Sequence, residues 1–279
     1  MFMTINCKGE LINLCSPKIM GILNLTPDSF FDGGKYKDET SILSQVELML
    51  SQGASFIDMG AYSSRPGAEH VPEDEELKRL LPVLELILKN FPETLVSVDT
   101  FRSNVASKSL ERGAAMINDI SAGNLDPDMF SAVAQYQVPY VMMHLKGTPQ
   151  SMQKEAHYDD LMKDLLFYFS EKVNEANAKK INDVIIDPGF GFAKTTAQNY
   201  TLLNHLDFFQ TFNTPLLIGL SRKSMIYKIL NSSAKEALNG TTALHTIALL
   251  KGANILRVHD IKEAMECVKL VEELKANSL

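Results

Sequence analysis

Lys251-Gly252-Ala253-Asn254-Ile255-Leu256-Arg257-Val258-His259-Asp260 carries the fold in miniature. The residues before it, Leu238–Lys251, read as a helix. Gly252 stands where a left-handed residue stops a helix. An apolar run then starts a strand, and polar residues end it. Arg257 and His259 have one residue between them, so both side chains point to the same face. The Gly-Ala stop recurs at Gln52-Gly53-Ala54 and Arg112-Gly113-Ala114, each time leading straight into an apolar run.

Eight such runs are spread along the chain: Lys18–Thr26, Phe56–Gly60, Leu95–Phe101, Met116–Ser121, Tyr140–Leu145, Asp183–Gly189, Pro215–Ser221 and Asn254–Asp260. Several are continuous rather than alternating, the mark of strands covered on both faces. Helical spacing fills most gaps, at Ser41–Gln52, Glu73–Lys89, Ser103–Arg112, Tyr158–Ala178 and Leu238–Lys251. Pro72 suits the first helical position, ahead of an acidic helix start at Glu73-Asp74-Glu75-Glu76, and Pro82 should kink that helix. Thr4–Leu14 alternates around Lys8-Gly9 and reads as a β-hairpin that closes a barrel floor. The pattern predicts an α/β chain, a (β/α)₈ TIM barrel with an N-terminal β-hairpin, as one domain over residues 1–279. A doubly wound open sheet is the alternative, but G-x-G-x-x-G after the first strand is absent.

Composition narrows the function. The 279 residues carry 27 Lys+Arg against 34 Asp+Glu, a net charge of -7, with 45% hydrophobic and 22% charged residues. These proportions exclude a disordered or fibrous chain. The acidic balance argues against a nucleic-acid footprint over the whole surface. No run reaches the roughly 18 apolar residues of a membrane span. The first residues, Met1 to Lys18, lack the pattern of a signal peptide. Cys7, Cys15 and Cys267 are far apart and odd in number, which fits thiols in a reducing cytoplasm.

Polar residues collect at the strand ends, where such a barrel keeps its active site. They are Asn24, Asp58, Asp99, Asn118, Asp119, His144, Asp187, then Ser221, Arg222 and Lys223, then Arg257 and His259. Buried charges need partners, so this set points to a functional face. Asp99, Asn118 and Asp187 suit a ligand rich in N–H donors, or a cation. A divalent metal is the rival for those carboxylates, although catalytic zinc would want His ligands among them. Arg257, His259 and Lys223 suit a phosphate or pyrophosphate. A rim salt bridge to Asp260 or Glu263 is the plainer reading of Arg257 and His259. Lys223 could instead be a Schiff-base lysine, and Arg222 fits either reading. Two loops rich in Gly, Pro and hydroxyl residues follow the first two strands, and Asp28, Phe30, Asp32 and Arg65 within them exceed turn chemistry. In Asp187-Pro188-Gly189-Phe190-Gly191-Phe192 the glycines allow a tight turn, and Phe192 could floor a flat ligand.

These segments carry a specific likeness. MGILNLTPDSFFDGG (Met20–Gly34) and IDMGAYSSRPGA (Ile57–Ala68) resemble the two signatures of the dihydropteroate synthase family. VDT (Val98–Thr100), INDIS (Ile117–Ser121), MMH (Met142–His144), DPGFGF (Asp187–Phe192), GLSRKS (Gly219–Ser224) and RVHD (Arg257–Asp260) resemble its other stretches, in order. The likeness runs from about Met20 to His259. Any one motif is weak; together they are highly specific.

The resemblance implies a transferase of folate biosynthesis and a sulfonamide target. It would join 4-aminobenzoate to 6-hydroxymethyl-7,8-dihydropterin diphosphate, giving 7,8-dihydropteroate and pyrophosphate by a dissociative course. It implies that Asp99, Asn118, Asp187 and Lys223 hold the pterin. Met143 and Ile120 or Ile117 would line that pocket, with Gly219 beside it and Phe192 and Arg257 flanking it. Asn24, Arg257 and His259 would hold the diphosphate with Mg²⁺, Asn24 being the metal ligand. Ser64, Arg65, Pro66 and Ser221 would lie near the aminobenzoate. Catalysis would rest on Lys223, Arg257, Asp99 and Asp187. Leu238–Leu250 and Ile261–Leu274 read as amphipathic helices that either pack on their own barrel or pair two barrels; family members are commonly dimers, so a homodimer is expected, with no nucleic acid or membrane partner.

Departures are Ala61-Tyr62 for a common Gly-Glu, Ser64 for Thr, Ala193 for Gly and Phe101-Arg102 after VDT. Two other readings are a methyltetrahydrofolate:corrinoid methyltransferase and a non-catalytic pterin-binding protein. The first would not need Asn24, Ser64-Arg65-Pro66 or Arg257 and His259. The second usually loses residues that are present here.

Overall fold

The computed structural model describes residues 3–25, 35–62 and 70–277. Strands β1 (Thr4–Cys7) and β2 (Glu10–Asn13) form an antiparallel hairpin. Its turn residues Lys8 and Gly9 both have positive φ, 54° and 88°, as a tight two-residue hairpin turn requires. Eight parallel strands follow: β3 (Lys18–Asn24), β4 (Phe56–Gly60), β5 (Val96–Asp99), β6 (Met116–Asp119), β7 (Tyr140–Met143), β8 (Val184–Asp187), β9 (Leu217–Ile218) and β10 (Ile255–Val258). They are hydrogen-bonded in the order β8-β7-β6-β5-β4-β3-β10-β9, and the bridge between Ile186 and Leu216 joins the two ends of the row. This is the expected (β/α)₈ TIM barrel with its N-terminal hairpin.

The helices are α1 (Lys35–Ser51), α2 (Glu73–Asn90), α3 (Ser103–Glu111), α4 (Met129–Tyr136), α5 (Leu161–Ala178), α6 (Thr196–Asn204), α7 (Ser224–Tyr227), α8 (Leu238–Leu250) and α9 (Ile261–Ala276). Pro72 stands one position before the first turn of α2, as its N-cap. The helix runs on through Pro82. The Gly-Ala stops of α1, α3 and α8 are Schellman turns. Gly53, Gly113 and Gly252 have φ of 103°, 93° and 99°. The following amides of Ala54, Ala114 and Ala253 bond back to Met49, Ser109 and Ala248. β4 keeps the full run Phe56–Gly60, and the other strands are shorter than their apolar runs: Pro215–Ser221 contracts to Leu217–Ile218, because the polar residues beyond leave the ladder and turn into the site.

The strands' two faces differ. Outward residues such as Ile19, Ile57, Val98, Ile117, Tyr140 and Ile186 form one core with the helices. Inward residues Met20, Phe56, Met116, Val141, Ile185, Leu217 and Ile255 fill the lower barrel. Ile5, Cys7 and Leu14 of the hairpin region pack beneath them, so the hairpin does close the floor. A dry, closed floor leaves the opposite end as the route in.

Candidate active site

Period-two alternation carries each inward row upward from that apolar layer. Above Phe56 lies Asp58, above Met116 Asn118, above Val141 Met143, above Ile185 Asp187, above Leu217 Gly219 and above Ile255 Arg257. Ser97 and Asp99 complete the rung from β5. Strands β4, β6, β8 and β10, which supply the buried apolar floor, thus supply a polar group two residues higher, while β7 and β9 place Met143 and Gly219 there.

Arg257 organises this rung. Its Nε donates to Asp58 Oδ2 at 2.6 Å and its Nη2 to Asp99 Oδ2 at 2.9 Å. Asp58, fully buried, also accepts from Ser97 Oγ at 2.6 Å and Asn118 Nδ2 at 3.2 Å. Side chains of β4, β5, β6 and β10 are thereby tied together. The side chains of Asp99 and Arg257 keep 16% and 22% exposure, so a ligand entering from the top can reach both. A Cβ on Gly60 would sit 3.1 Å from Asp99 Cβ, so the bare glycine gives Asp99 its room.

The opposite wall comes from β8 and β9. Asp187 is buried and its Oδ1 accepts from the Gly189 amide at 2.8 Å. Lys223 Nζ donates to Phe190 O and lies 4.8 Å from the centre of the Phe192 ring. Gly219, whose Cβ would lie 3.8 Å from Lys223 Nζ, leaves the amine space. Ile120, Met143, Leu145, Met152 and Ala193 form an apolar patch with Phe192 against it. Ile120, not Ile117, is therefore the pocket isoleucine, since Ile117 faces the helices.

Burial sets the protonation of this set. It pushes Asp99 up to about 7 against the pull of Arg257, and it raises Asp187 against the pull of Lys223. It lowers Lys223 to about 8, Asp187 acting the other way. Burial alone would lower Arg257, but Asp58 and Asp99 reverse the sign and hold it charged. Among the described residues three carboxylates face two cations on this rung, so a ligand bringing N–H donors would balance it.

Above this rung, Ser221 Oγ meets His259 Nδ1 at 3.0 Å and accepts the His259 amide at 3.2 Å. With Ser221 donating to Nδ1, the ring proton sits on Nε2. Asn24 lies half-buried at the top of β3, beside Gly60.

Several expectations change. Arg257 does not pair with Asp260 or Glu263. Asp260 is held by Arg222, through Nε at 2.8 Å and Nη2 at 2.6 Å, so Arg222 is a rim staple away from the pocket chemistry. Asp119 and His144, grouped by sequence with the strand-end set, point outward. Asp119 accepts from Tyr140 OH, the Ser121 amide and hydroxyl, and the Gly123 amide, all within 2.8 Å. His144 packs on Tyr168 with ring centres 4.8 Å apart. Asp58 and Ser97 were not given binding roles by sequence. The alternation Phe56-Ile57-Asp58-Met59-Gly60 was the available signal for Asp58. Asp28, Phe30, Asp32, Ser64, Arg65 and Pro66 lie outside the described residues.

A magnesium ion can be tested against this donor set. Among the described residues, no three His, Cys, Asp or Glu side chains are grouped to hold a metal. Asp58 and Asp99 already face Arg257. The amide oxygen of Asn24 fits an ion that brings phosphate oxygens and water with it, rather than one held in a protein cage.

Residues 20–259 match the pterin binding enzyme family. The dihydropteroate synthase of Escherichia coli strain K12 is 42% identical, over 97% of this chain and 96% of its own length. That of Bacillus subtilis strain 168 is 40% identical, over 92% and 88%. The crystal structure of the Yersinia pestis dihydropteroate synthase with a sulfonamide drug superposes with a TM-score of 0.91 at 42% identity, covering 98% of this chain and 100% of that one. The Xanthomonas albilineans dihydropteroate synthase with 4-aminobenzoic acid gives 0.92 at 35% identity, with both chains fully covered. Related to these enzymes from end to end, and sharing their barrel, the chain belongs to the pterin-binding enzymes of the dihydropteroate synthase family.

Proposed function

We infer that this chain condenses 6-hydroxymethyl-7,8-dihydropterin diphosphate with 4-aminobenzoate, releasing pyrophosphate and forming 7,8-dihydropteroate. The observation that carries the reading at the level of residues is the inward rung itself. Asp58, Asp99, Asn118 and Asp187 offer acceptors over a dry floor, while Arg257 and Lys223 stand among them.

The aminopterin edge carries amine and ring N–H groups, which the carboxylates accept. Phe192 and Met143 supply apolar contact to the flat ring. The bond between the pterin methylene and the diphosphate oxygen breaks, and its electron pair leaves with pyrophosphate. Positive charge left on the methylene is spread into the ring and faces Asp99 and Asp187. The aminobenzoate nitrogen then supplies the pair for the new C–N bond and loses a proton to solvent. Arg257, which has N–H donors beyond the two in these ion pairs, and His259 receive the growing negative charge of the leaving group. No protein nucleophile is needed. Asn24 would hold Mg²⁺ together with the diphosphate, and the ion would supply charge neutralisation of the departing oxygens. Ser64, Arg65, Pro66 and Ser221 are proposed to meet the aminobenzoate. Sulfonamides, being analogues of that substrate, are the expected inhibitors.

We also place the enzyme in the cytoplasm, where the thiols of Cys7, Cys15 and Cys267, none in a disulfide, stay reduced. Among the described residues no helix is long and apolar enough to cross a membrane. Ile247 and Leu250 on α8 and Leu270 and Leu274 on α9 are at least 40% exposed, which favours a homodimer built on these helices. Sedimentation should give twice the 31.0 kDa chain mass, and a monomer would remove that part.

The purified protein, supplied with pterin diphosphate and Mg²⁺, should release pyrophosphate only when 4-aminobenzoate is added. Release that ignores aminobenzoate would reject the synthase assignment, and binding without any release would favour a non-catalytic pterin-binding protein.

A further inference from the structure

Lys194 follows the Asp187–Phe192 turn and would be read from sequence as a solvated charge. It is instead only 3% exposed. Its Nζ lies 3.0 Å from Gly189 O, 3.2 Å from Phe192 O and 3.1 Å from His144 Nδ1. Burial lowers Lys194 to about 7, with Asp187 acting the other way. In its ammonium form it has three protons, and these are three acceptors. The backbone of the turn is shaped to bring the two carbonyls together: Gly189, Gly191 and Ala193 have φ of 74°, 80° and 47°. The turn is also pressed against the end of β7, where a Cβ on Gly189 would meet His144 O at 2.3 Å.

The same turn meets Lys223 on its other side. Phe190 O receives Lys223 Nζ, and the Phe192 ring lies beneath that amine. The Gly189 amide holds Asp187. One lysine therefore faces the pocket, and the other closes the back of the same turn.

We propose that Lys194 is a positioning residue. Its ammonium ties Gly189 and Phe192 to His144 at the end of β7, and thereby fixes Phe192, Lys223 and Asp187 against the pterin without touching it. The proposal rests on the pocket reading above. His144 accepts through Nδ1, so it is neutral. Burial holds it in that state, with the neighbouring Lys194 acting in the same direction.

Steady-state pyrophosphate release separates this role from a general structural one. Lys194→Met keeps the length and apolar stem but removes the donors. It should raise KM for pterin diphosphate about tenfold, since a misplaced first contact has effects of this size or more. KM for aminobenzoate should stay within about twofold, because the turn lies on the pterin side. His144→Asn, which alters one of the three tethers, should move the pterin KM in the same direction by about threefold. It also keeps the test open should Lys194→Met not fold. Unchanged pterin KM in both folded variants would overturn the proposal. So would a loss of kcat that merely follows the folded fraction, with both KM values unchanged. Failure of the wild-type enzyme to release pyrophosphate would instead reject the pocket reading, and this inference with it.

Discussion

Asn118 and Asp119 are neighbours at the end of one strand, yet they belong to opposite sides of the barrel wall. Asn118 points inward and donates to Asp58, within a rung where three carboxylates meet two cations. Asp119 points outward and accepts from Tyr140, Ser121 and Gly123. The inner group is left with acceptors to offer and excess negative charge. The outer group is saturated by its own fold. Polarity at a strand end therefore does not by itself single out the pocket side; parity along the strand does.

The largest effect should come from removing an inner cation. Arg257→Ala and Lys223→Ala, made separately, should each lower kcat/KM by about 10³-fold, the scale of a lost charge-stabilising contact. Initial rates normalised to folded protein check this, and near-native rates in either variant would show that the inner set is misassigned.

Next is pH. Donor-rich ligand binding needs Asp99 ionised and Lys223 protonated. With Asp99 raised to about 7 and Lys223 lowered to about 8, pterin affinity should rise as pH climbs to about 7 and fall above about 8. Outside this window the loss should approach about tenfold per pH unit. Asp99→Asn should flatten the acid limb. Stability should run the other way: a carboxyl whose folded pKa is raised from about 3.9 favours folding at low pH, and that contribution disappears as pH passes about 7. An affinity that is flat from pH 6 to 9 would break the link between burial and binding.

The smallest effect on catalysis should come from the outer network. Asp119→Ala leaves buried donors of Tyr140, Ser121 and Gly123 without an acceptor, so unfolding free energy should fall by about 3 kcal/mol. Turnover per folded molecule should stay within about twofold. A large catalytic loss in well-folded Asp119→Ala would erase the distinction between the two sides.

The inner-outer distinction was only partly legible in the sequence. The apolar runs located all eight barrel strands, because strands covered on both faces must be apolar, and Gly53, Gly113 and Gly252 marked three helix ends. Helices α4, α6 and the four-residue α7 were missed. The first, MFSAVAQY, is short and has little polar contrast. The second announces itself mainly by the capping box of Thr195 and Gln198. Asp99, Asn118, Asp187, Lys223 and Arg257 were legible as candidates because they lie at or just past strand ends, and the structure brings them to one inward face. Asp58 was grouped with the strand ends too, but its ties to Arg257, Ser97 and Asn118 emerge only from the structure. Buried Lys194 meets His144, 50 residues earlier, and a local reading of a lysine after a glycine turn contains no sign of that contact.

Calorimetric titration of a pterin into wild-type protein, Asp187→Asn and Asp119→Asn tests the inner-outer distinction most directly. Binding should be present in the wild type, weakened at least about tenfold in Asp187→Asn, and within about twofold of wild type in Asp119→Asn. Equal affinity in all three proteins, or loss confined to Asp119→Asn, would mean that the inward strand-end rung is not the pterin site.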